Sequence, residues 1–232
     1  MVKALAVDID GTLTDKEGRL DTEAIEALRE AERKGIQVIL ASGNSLCVVL
    51  GLRYYLGCSG GAIAENGAVI WYKGRIEVLG NREVALEARR ILVERLSHIV
   101  RESWQNPHRY ADFAFVPRED MPRGEALRTC REVLKELPVV VEDSGVAFHV
   151  RSREVDKGRA LARLCQLMGL DLKEVVAIGD SEVDAQMISI AGIGVVLAHA
   201  PPEVKALATY VTKEAYAKGF IEAVRLFVLE DG

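Results

Sequence analysis

The sequence predicts an α/β protein, a doubly wound parallel sheet carrying a smaller α+β insert, on three observations. Short β-rich apolar runs recur at Leu5 to Ile9, Gln37 to Ala41, Val175 to Ile178, Gly194 to Leu197 and Tyr210 to Thr212. Segments of helical period separate most of these runs, and continuous apolar strands joined by crossover helices imply a parallel sheet covered on both faces. The alternation lapses between residues 80 and 153, where helices and strands follow a different order.

The first element pair and its connection make a βαβ unit. Asp21 or Thr22 caps a helix ending at Lys34 and Gly35, in which Ala24, Ile25, Leu28 and Ala31 share a face. After the second strand, Ser42 or Asn44 can start a helix that runs to about Leu56. Gly67 to Leu79 reads as a hairpin turning at Lys73-Gly74. A long amphipathic helix begins near Arg82, with Val84, Ala88, Ile91, Leu92, Val93, Leu96 and Ile99 mostly on one side. A strand at Phe113 to Val116, a helix from Arg123 to Leu137 and a hairpin of Val139 to Val141 with Val146 to Val150 complete the insert. The expected division is a Rossmann-like core of residues 1–79 and 154–232 and an insert of residues 80–153. The insert carries 13 basic against 12 acidic residues, and 12 of those cations are Arg, so it suits an anion better than the acidic remainder does.

The composition excludes several classes. With 232 residues, 28% charged and 49% apolar, the chain is an ordinary globular protein. No run reaches the roughly 18 apolar residues of a membrane span, since Arg53 and Pro201 interrupt the longest candidates. The N-terminus has no signal-peptide pattern, so a cytoplasmic location is expected. A net charge of -5 argues against nucleic acid as a partner. Cys47, Cys58, Cys130 and Cys165 lack metal or disulfide spacing and read as buried small hydrophobes. His98, His108, His149 and His199 lack ligand spacing, and none is assigned to a site. Walker, H-E-x-x-H, G-x-S-x-G and G-x-G-x-x-G motifs are missing. Arg outnumbers Lys by 20 to 10, with four Asn and four Gln, which leans towards a heat-adapted source. A cap-edge strand or the Trp104 region could pair subunits into a homodimer.

Chemistry concentrates at strand ends, where open α/β sheets carry their ligands. Asp8 and Asp10 lie two residues apart in Asp8-Ile9-Asp10-Gly11-Thr12, so both project to one side. Two adjacent anions need compensation, and a divalent hard cation supplies it. Ser42, Gly43 and Asn44 follow the second strand with groups that bind phosphate, although simple capping explains them equally well. Lys157 opens a helix against the local dipole, which suggests an ammonium aimed at Asp8 and a bound phosphate. Asp180 ends another strand, and Asp184 follows one helical turn on as a ligand of the same metal or a partner through water.

Together, D-x-D-G-T, S-G-N, a lysine and G-D-S-x-x-D resemble the four motifs of the haloacid dehalogenase superfamily of phosphohydrolases. The insert resembles the type C2 cap of its Cof-like branch, as does Glu65-Asn66-Gly67-Ala68, and the short cap is most similar to archaeal phosphoglycolate phosphatases and sucrose-phosphate phosphatases. One departure is Val183, where such enzymes often carry Asn.

The resemblance implies that Asp8 is the nucleophile and Asp10 the general acid and base, with an aspartyl-phosphate between two steps. It implies Mg²⁺ held by Asp8, the Asp10 backbone carbonyl and Asp180, with Asp184 close by, and phosphate held by Thr12, Ser42, Gly43, Asn44 and Lys157. The implied substrate is a small phosphorylated metabolite, 2-phosphoglycolate before a sugar phosphate. A phosphomutase and a receiver-like phosphoacceptor are the competing readings.

Overall fold

The computed structural model describes residues 1–229. In chain order the core begins with β1 (Ala4–Asp8), α1 (Thr22–Arg33), β2 (Gln37–Ala41), α2 (Leu46–Leu56), β3 (Ala62–Ala64), β4 (Val69–Tyr72) and β5 (Arg75–Val78). There follow α3 (Arg82–Leu96), β6 (Val100–Glu102), β7 (Asp112–Pro117), α4 (Arg123–Val133), β8 (Val139–Asp143) and β9 (Phe148–Ser152). The chain then forms α5 (Lys157–Met168), β10 (Val175–Gly179), α6 (Ala185–Ile190), β11 (Ile193–Val196), α7 (Pro202–Lys205), β12 (Tyr210–Val211) and α8 (Tyr216–Val224), with a π-helical turn at Arg225–Leu229.

Eight strands form one sheet in the order β12-β11-β10-β1-β2-β3-β4-β5. Pairings from β12 to β3 are parallel, and the last two, β3 with β4 and β4 with β5, are antiparallel. β1 sits between β2, reached through α1, and β10, reached much later through α5. Strand order therefore reverses at β1, which opens a crevice at the carboxyl ends of β1, β2 and β10.

The alternation of β1 sorts the helices onto the two faces. Leu5 and Val7 face a core shared with Leu28 of α1, Val49 of α2 and Phe220 of α8. Ala4 and Ala6 face Leu161 and Leu164 of α5 and Met187 of α6. Small side chains on this second face let α5 and α6 lie close to the sheet. Gly158 of α5 would bring a Cβ within 2.7 Å of the Gln186 backbone, so glycine is needed for the approach of the two helices.

The insert holds a separate antiparallel sheet, β6-β7-β9-β8. Phe113, Phe115 and Phe148 are fully buried there against Ala85, Ala88 and Leu92 of α3 and Ala126 and Cys130 of α4. Burial of each ring contributes about 2–3 kcal/mol, so this layer has a hydrophobic core of its own.

Several local expectations change. Ser45, not Ser42 or Asn44, precedes α2 and makes no side-chain cap. α4 ends at Val133 because Leu134 leaves helical geometry and Pro138 lies ahead. Asp180 to Asp184 is not a helical turn: Ser181 is extended, Glu182–Asp184 is a 3₁₀ turn, and α6 starts only at Ala185. Cys47 is exposed, whereas the other three cysteines are buried. β3 and β6 span only three residues each, too few for a period to be read.

Candidate active site

Asp8 is the last residue of β1, opposite Ala41 at the end of β2. It is 5% exposed, while Asp10 stands more openly at the crevice. Between them and the next segment the chain turns sharply: Thr12 and Leu13 both donate their N–H groups to the Ile9 carbonyl, and Gly11 takes a φ of +89°. A Cβ on Gly11 would sit 2.5 Å from Asp180 Oδ2, so glycine also makes room for that carboxylate.

Lys157 begins α5, where Asp156 caps the helix through the Arg159 N–H. Its ammonium is 1% exposed and donates to Asp8 Oδ1 at 2.5 Å and to Asp184 Oδ1 at 2.7 Å. Burial alone would lower this ammonium, yet Asp184 and Asp8 hold it above its ordinary value. The helix dipole is thus overruled by two carboxylates at contact distance.

Asp184 folds back on its own loop. Its Oδ2 accepts from the Asp180 and Ser181 N–H groups and from Ser181 Oγ, so the reciprocal cap of the 3₁₀ turn replaces the expected helical spacing. Asp180 is oriented by Thr12, whose hydroxyl donates to Oδ1 at 2.8 Å. The buried Thr12 hydroxyl therefore meets this carboxylate.

Ser42, Gly43 and Asn44 follow β2. Ser42 is fully buried, and its Oγ accepts both the Asn44 backbone N–H and the Asn44 side-chain amide at 3.0 Å. The same amide nitrogen donates to Asp10 Oδ2 at 2.9 Å. Gly43 lies against the Asn66 side chain, where a Cβ would approach to 2.9 Å. Six of the nine predicted residues, Asp8, Asp10, Gly43, Asn44, Lys157 and Asp180, line one crevice; Thr12, Ser42 and Asp184 are fully buried behind them, the Thr12 hydroxyl turned to Asp180 and not to the place expected for phosphate, and Ser42 and Asn44 are bonded to each other instead of capping α2.

The structure adds residues that the sequence reading left out. Asp180 Oδ2 lies 3.2 Å from His199 Nε2. The Tyr216 N–H donates to His199 Nδ1, so Nδ1 is the acceptor and Nε2 carries the proton that reaches Asp180. Glu65 and Asn66 adopt φ of +56° and +52°, and the buried Glu65 carboxylate accepts the Tyr110, Ala111 and Asp112 N–H groups. Burial pushes the Glu65 carboxyl up, and these donors pull against that. Asn66 donates to Asp112, which also meets His149 at 3.0 Å. Burial would raise Asp112, but His149, Arg109 and Arg151 hold it down to about 2. The only sequence signal for this group was the Glu65-Asn66-Gly67 segment.

Asp8, Asp180 and Asp184 offer carboxylate oxygens that lie within 4.8 Å of one another. Burial, then Asp184, pushes the Asp8 carboxyl well above the usual carboxylate range, with Lys157 in opposition. One buried ammonium does not neutralise three carboxylates, and an all-oxygen donor set of this density fits a hard divalent cation. The crevice of about 290 Å³ beside it is walled by Asp8, Asp10, Asn44 and Lys157 on one side and by Arg101, Trp104 and His149 of the insert on the other.

Fold and site together define an α/β protein that gathers carboxylates, an ammonium and hydroxyl and amide donors at a switch point, the equipment for an anionic group beside a cation. The sequence profile of the haloacid dehalogenase-like hydrolases matches residues 5–97 and 120–224. A phosphoglycolate phosphatase of Methanothermobacter thermautotrophicus is 40% identical across 98% of this chain and 99% of its own. One of Metallosphaera sedula is 38% identical across 98% of this chain and 100% of its own. The crystal structure of a Thermoplasma acidophilum protein, 29% identical, superposes with a TM-score of 0.88 over 99% of this chain and all of that one. This chain belongs to the haloacid dehalogenase-like hydrolases. A receiver-like domain is thereby set aside. Among the described residues, no helix is long and apolar enough to cross a membrane.

Proposed function

We propose that this chain hydrolyses phosphomonoesters through an aspartyl-phosphate on Asp8, with 2-phosphoglycolate as substrate and Mg²⁺ as cofactor. The observation that carries the reading is the division of labour between the two strand-end aspartates. Lys157 occupies Asp8 Oδ1, which leaves Oδ2 to attack phosphorus. Asn44 occupies Asp10 Oδ2, which leaves Oδ1 to hold a proton, and burial raises the Asp10 carboxyl so that the proton is retained longer.

In the first step an Asp8 oxygen bonds to phosphorus, the ester P–O bond breaks, and the Asp10 proton goes to the departing alkoxide, giving glycolate. In the second, Asp10 takes a proton from water as the water oxygen bonds to phosphorus. The bond from Asp8 to phosphorus then breaks and phosphate leaves. Lys157, the Ser42 hydroxyl and the Gly43 backbone N–H steady the transferring oxygens. Mg²⁺, held by Asp8, the Asp10 carbonyl and Asp180 with Asp184 behind them, would supply positive charge against the phosphoryl oxygens.

Residues 80–153 act as a cap over a core of residues 1–79 and 154–232. Support for the substrate comes from the names of the relatives and from Arg101, a cation on the cap wall of the crevice whose guanidinium has no partner among the described residues. It suits the carboxylate of a small acid, and such a metabolite suits a cytoplasmic enzyme. The test is phosphate release from 2-phosphoglycolate and from sugar phosphates, with Mg²⁺ or EDTA. Release that needs Mg²⁺, disappears in Asp8→Asn and favours 2-phosphoglycolate supports the reading; Arg101→Ala then raises KM for that substrate more than for a sugar phosphate. Failure of Asp8→Asn to abolish release sinks the assigned nucleophile.

A further inference from the structure

Gln105, on the insert, reaches the core at the amide that holds Asp10. It lies between β6 and β7, outside every motif that the sequence analysis singled out. Its Oε1 accepts the Ser45 N–H at 2.7 Å and lies 3.4 Å from Arg109 Nη2, which also donates to the Gly43 carbonyl at 2.9 Å. With two donors on its oxygen, the Gln105 amide can present only its NH₂ end to the other side, and Nε2 donates to Asn44 Oδ1 at 2.7 Å. That contact in turn decides the Asn44 amide. Its oxygen is engaged by Gln105, so its NH₂ faces Asp10 Oδ2 and Ser42 Oγ.

We infer that Gln105 is a positioning residue that sets the polarity of a three-member relay, Gln105 to Asn44 to Asp10 and Ser42. Two consequences follow from hydrogen-bond direction alone. Asp10 Oδ2 receives a donor, which leaves Oδ1 as the oxygen that exchanges protons with the reacting groups. Ser42 Oγ, already accepting two N–H groups, has its own hydroxyl proton free to donate towards a bound anion. A reversed Asn44 would instead point its carbonyl at Asp10 and Ser42 and remove both donors.

The segment that carries Gln105 is braced for this task. Asn106 donates to the Ala114 carbonyl at 2.9 Å and accepts the Ala114 N–H at 2.8 Å, so its side chain pairs with β7 as a strand would. Arg109 is 6% exposed and donates to the Asp112 carbonyl at 3.1 Å. The donors of the core loop are therefore oriented only while the insert is seated on the core.

Gln105→Glu tests this with little change in shape, because a carboxylate keeps the Ser45 and Arg109 contacts but turns the Asn44 amide round. The expected result is a fall in kcat for 2-phosphoglycolate of about ten- to a hundredfold, the size of one hydrogen bond to a charged group, with KM changed less than about threefold. In an Asn44→Ala background the same substitution should change kcat by less than about twofold, since its route is gone. Independently of turnover, nuclear Overhauser contacts should place the Asn44 side-chain NH₂ protons beside Asp10 and Ser42 in the parent protein and beside the side chain at position 105 in Gln105→Glu. If that variant does not fold, Gln105→Leu is measured in the same ways. Asn44 NH₂ contacts that stay with Asp10 and Ser42 in Gln105→Glu, or kcat losses that add across the two backgrounds, overturn the inference. The inference rests on the phosphomonoester reading for the role of Asp10. A parent protein inert towards every phosphomonoester would sink that reading, while the Asn44 NH₂ contacts would still decide the relay.

Discussion

Replacing Lys157 by Met probes the electrostatics of the site most directly. The ammonium is 1% exposed and contacts two buried carboxylates, Asp8 and Asp184. Methionine fills similar space without charge, so the variant loses little packing and leaves Asp8, Asp180 and Asp184 without their buried cation. Removing one partner of a buried ion pair costs roughly 3–5 kcal/mol. For a chain of 232 residues this corresponds to a fall in Tm of roughly 6–10 °C, at about 2.1 cal/mol/K of unfolding entropy per residue.

The deficit should depend on pH and on divalent cation. Without Lys157, the Asp8 carboxyl, already raised by burial, rises further. A carboxyl raised in the folded state destabilises the fold when ionised, and that penalty fades as pH falls through its folded value. The variant should therefore lie furthest below the parent at the highest pH and approach it as pH falls. Mg²⁺ should restore more stability to the variant than to the parent, because the carboxylates have lost their competing cation. Differential scanning calorimetry in EDTA and in Mg²⁺ at pH 5, 6.5 and 8 measures all three effects. kcat should fall by about a hundredfold or more, the usual cost of a preorganised charge donor. A Tm in EDTA within 2 °C of the parent at pH 8, with no gain from Mg²⁺, would refute the reasoning.

Two further changes test other parts of the geometry. Gly11→Ala puts a Cβ 2.5 Å from Asp180 Oδ2 at a backbone φ of +89°, so Asp180 must move; the Mg²⁺ concentration for half-maximal phosphate release should rise at least about tenfold, and an unchanged metal titration would count against Asp180 as a ligand. Asp112→Asn removes a buried carboxylate held at about 2, a depression from 3.8 worth on the order of 2 kcal/mol. Because the folded value lies below the unfolded one, that stability is complete above pH 4 and is lost as pH falls towards 2. The Tm gap between parent and Asp112→Asn should accordingly narrow across that window, and a gap that stays constant or widens there would refute the assignment.

How much of this was legible depended on the range over which each signal acts. β1, β2 and β10 are short apolar runs that end in polar residues, and their local pattern alone marks both the sheet and the place for chemistry. Asp8, Asp10, Ser42, Lys157 and Asp180 were readable because each lies within a few residues of such a strand or a helix start. β3 and β6 were invisible because three residues carry no period. The fold-back of Asp184 was misread because a capping interaction within four residues competes with the helical spacing there, and the sequence permits both.

Contacts between distant segments left the weakest trace. His199 reaches Asp180 across 19 positions, and its usable tautomer is set by a backbone N–H at Tyr216, a residue with φ of +53° whose ring stacks on the imidazole at 4.0 Å. No spacing rule carries that arrangement. It also bears on Val183, which lines the crevice beside Asp180 but has no polar atom to offer it. A carboxylate of a cation site must be held in one orientation by donors, and here Thr12 and His199 supply one to each oxygen. The valine is therefore tolerable for a reason that lies in another loop. What a substitution at position 183 costs is decided by donors that a motif comparison does not include.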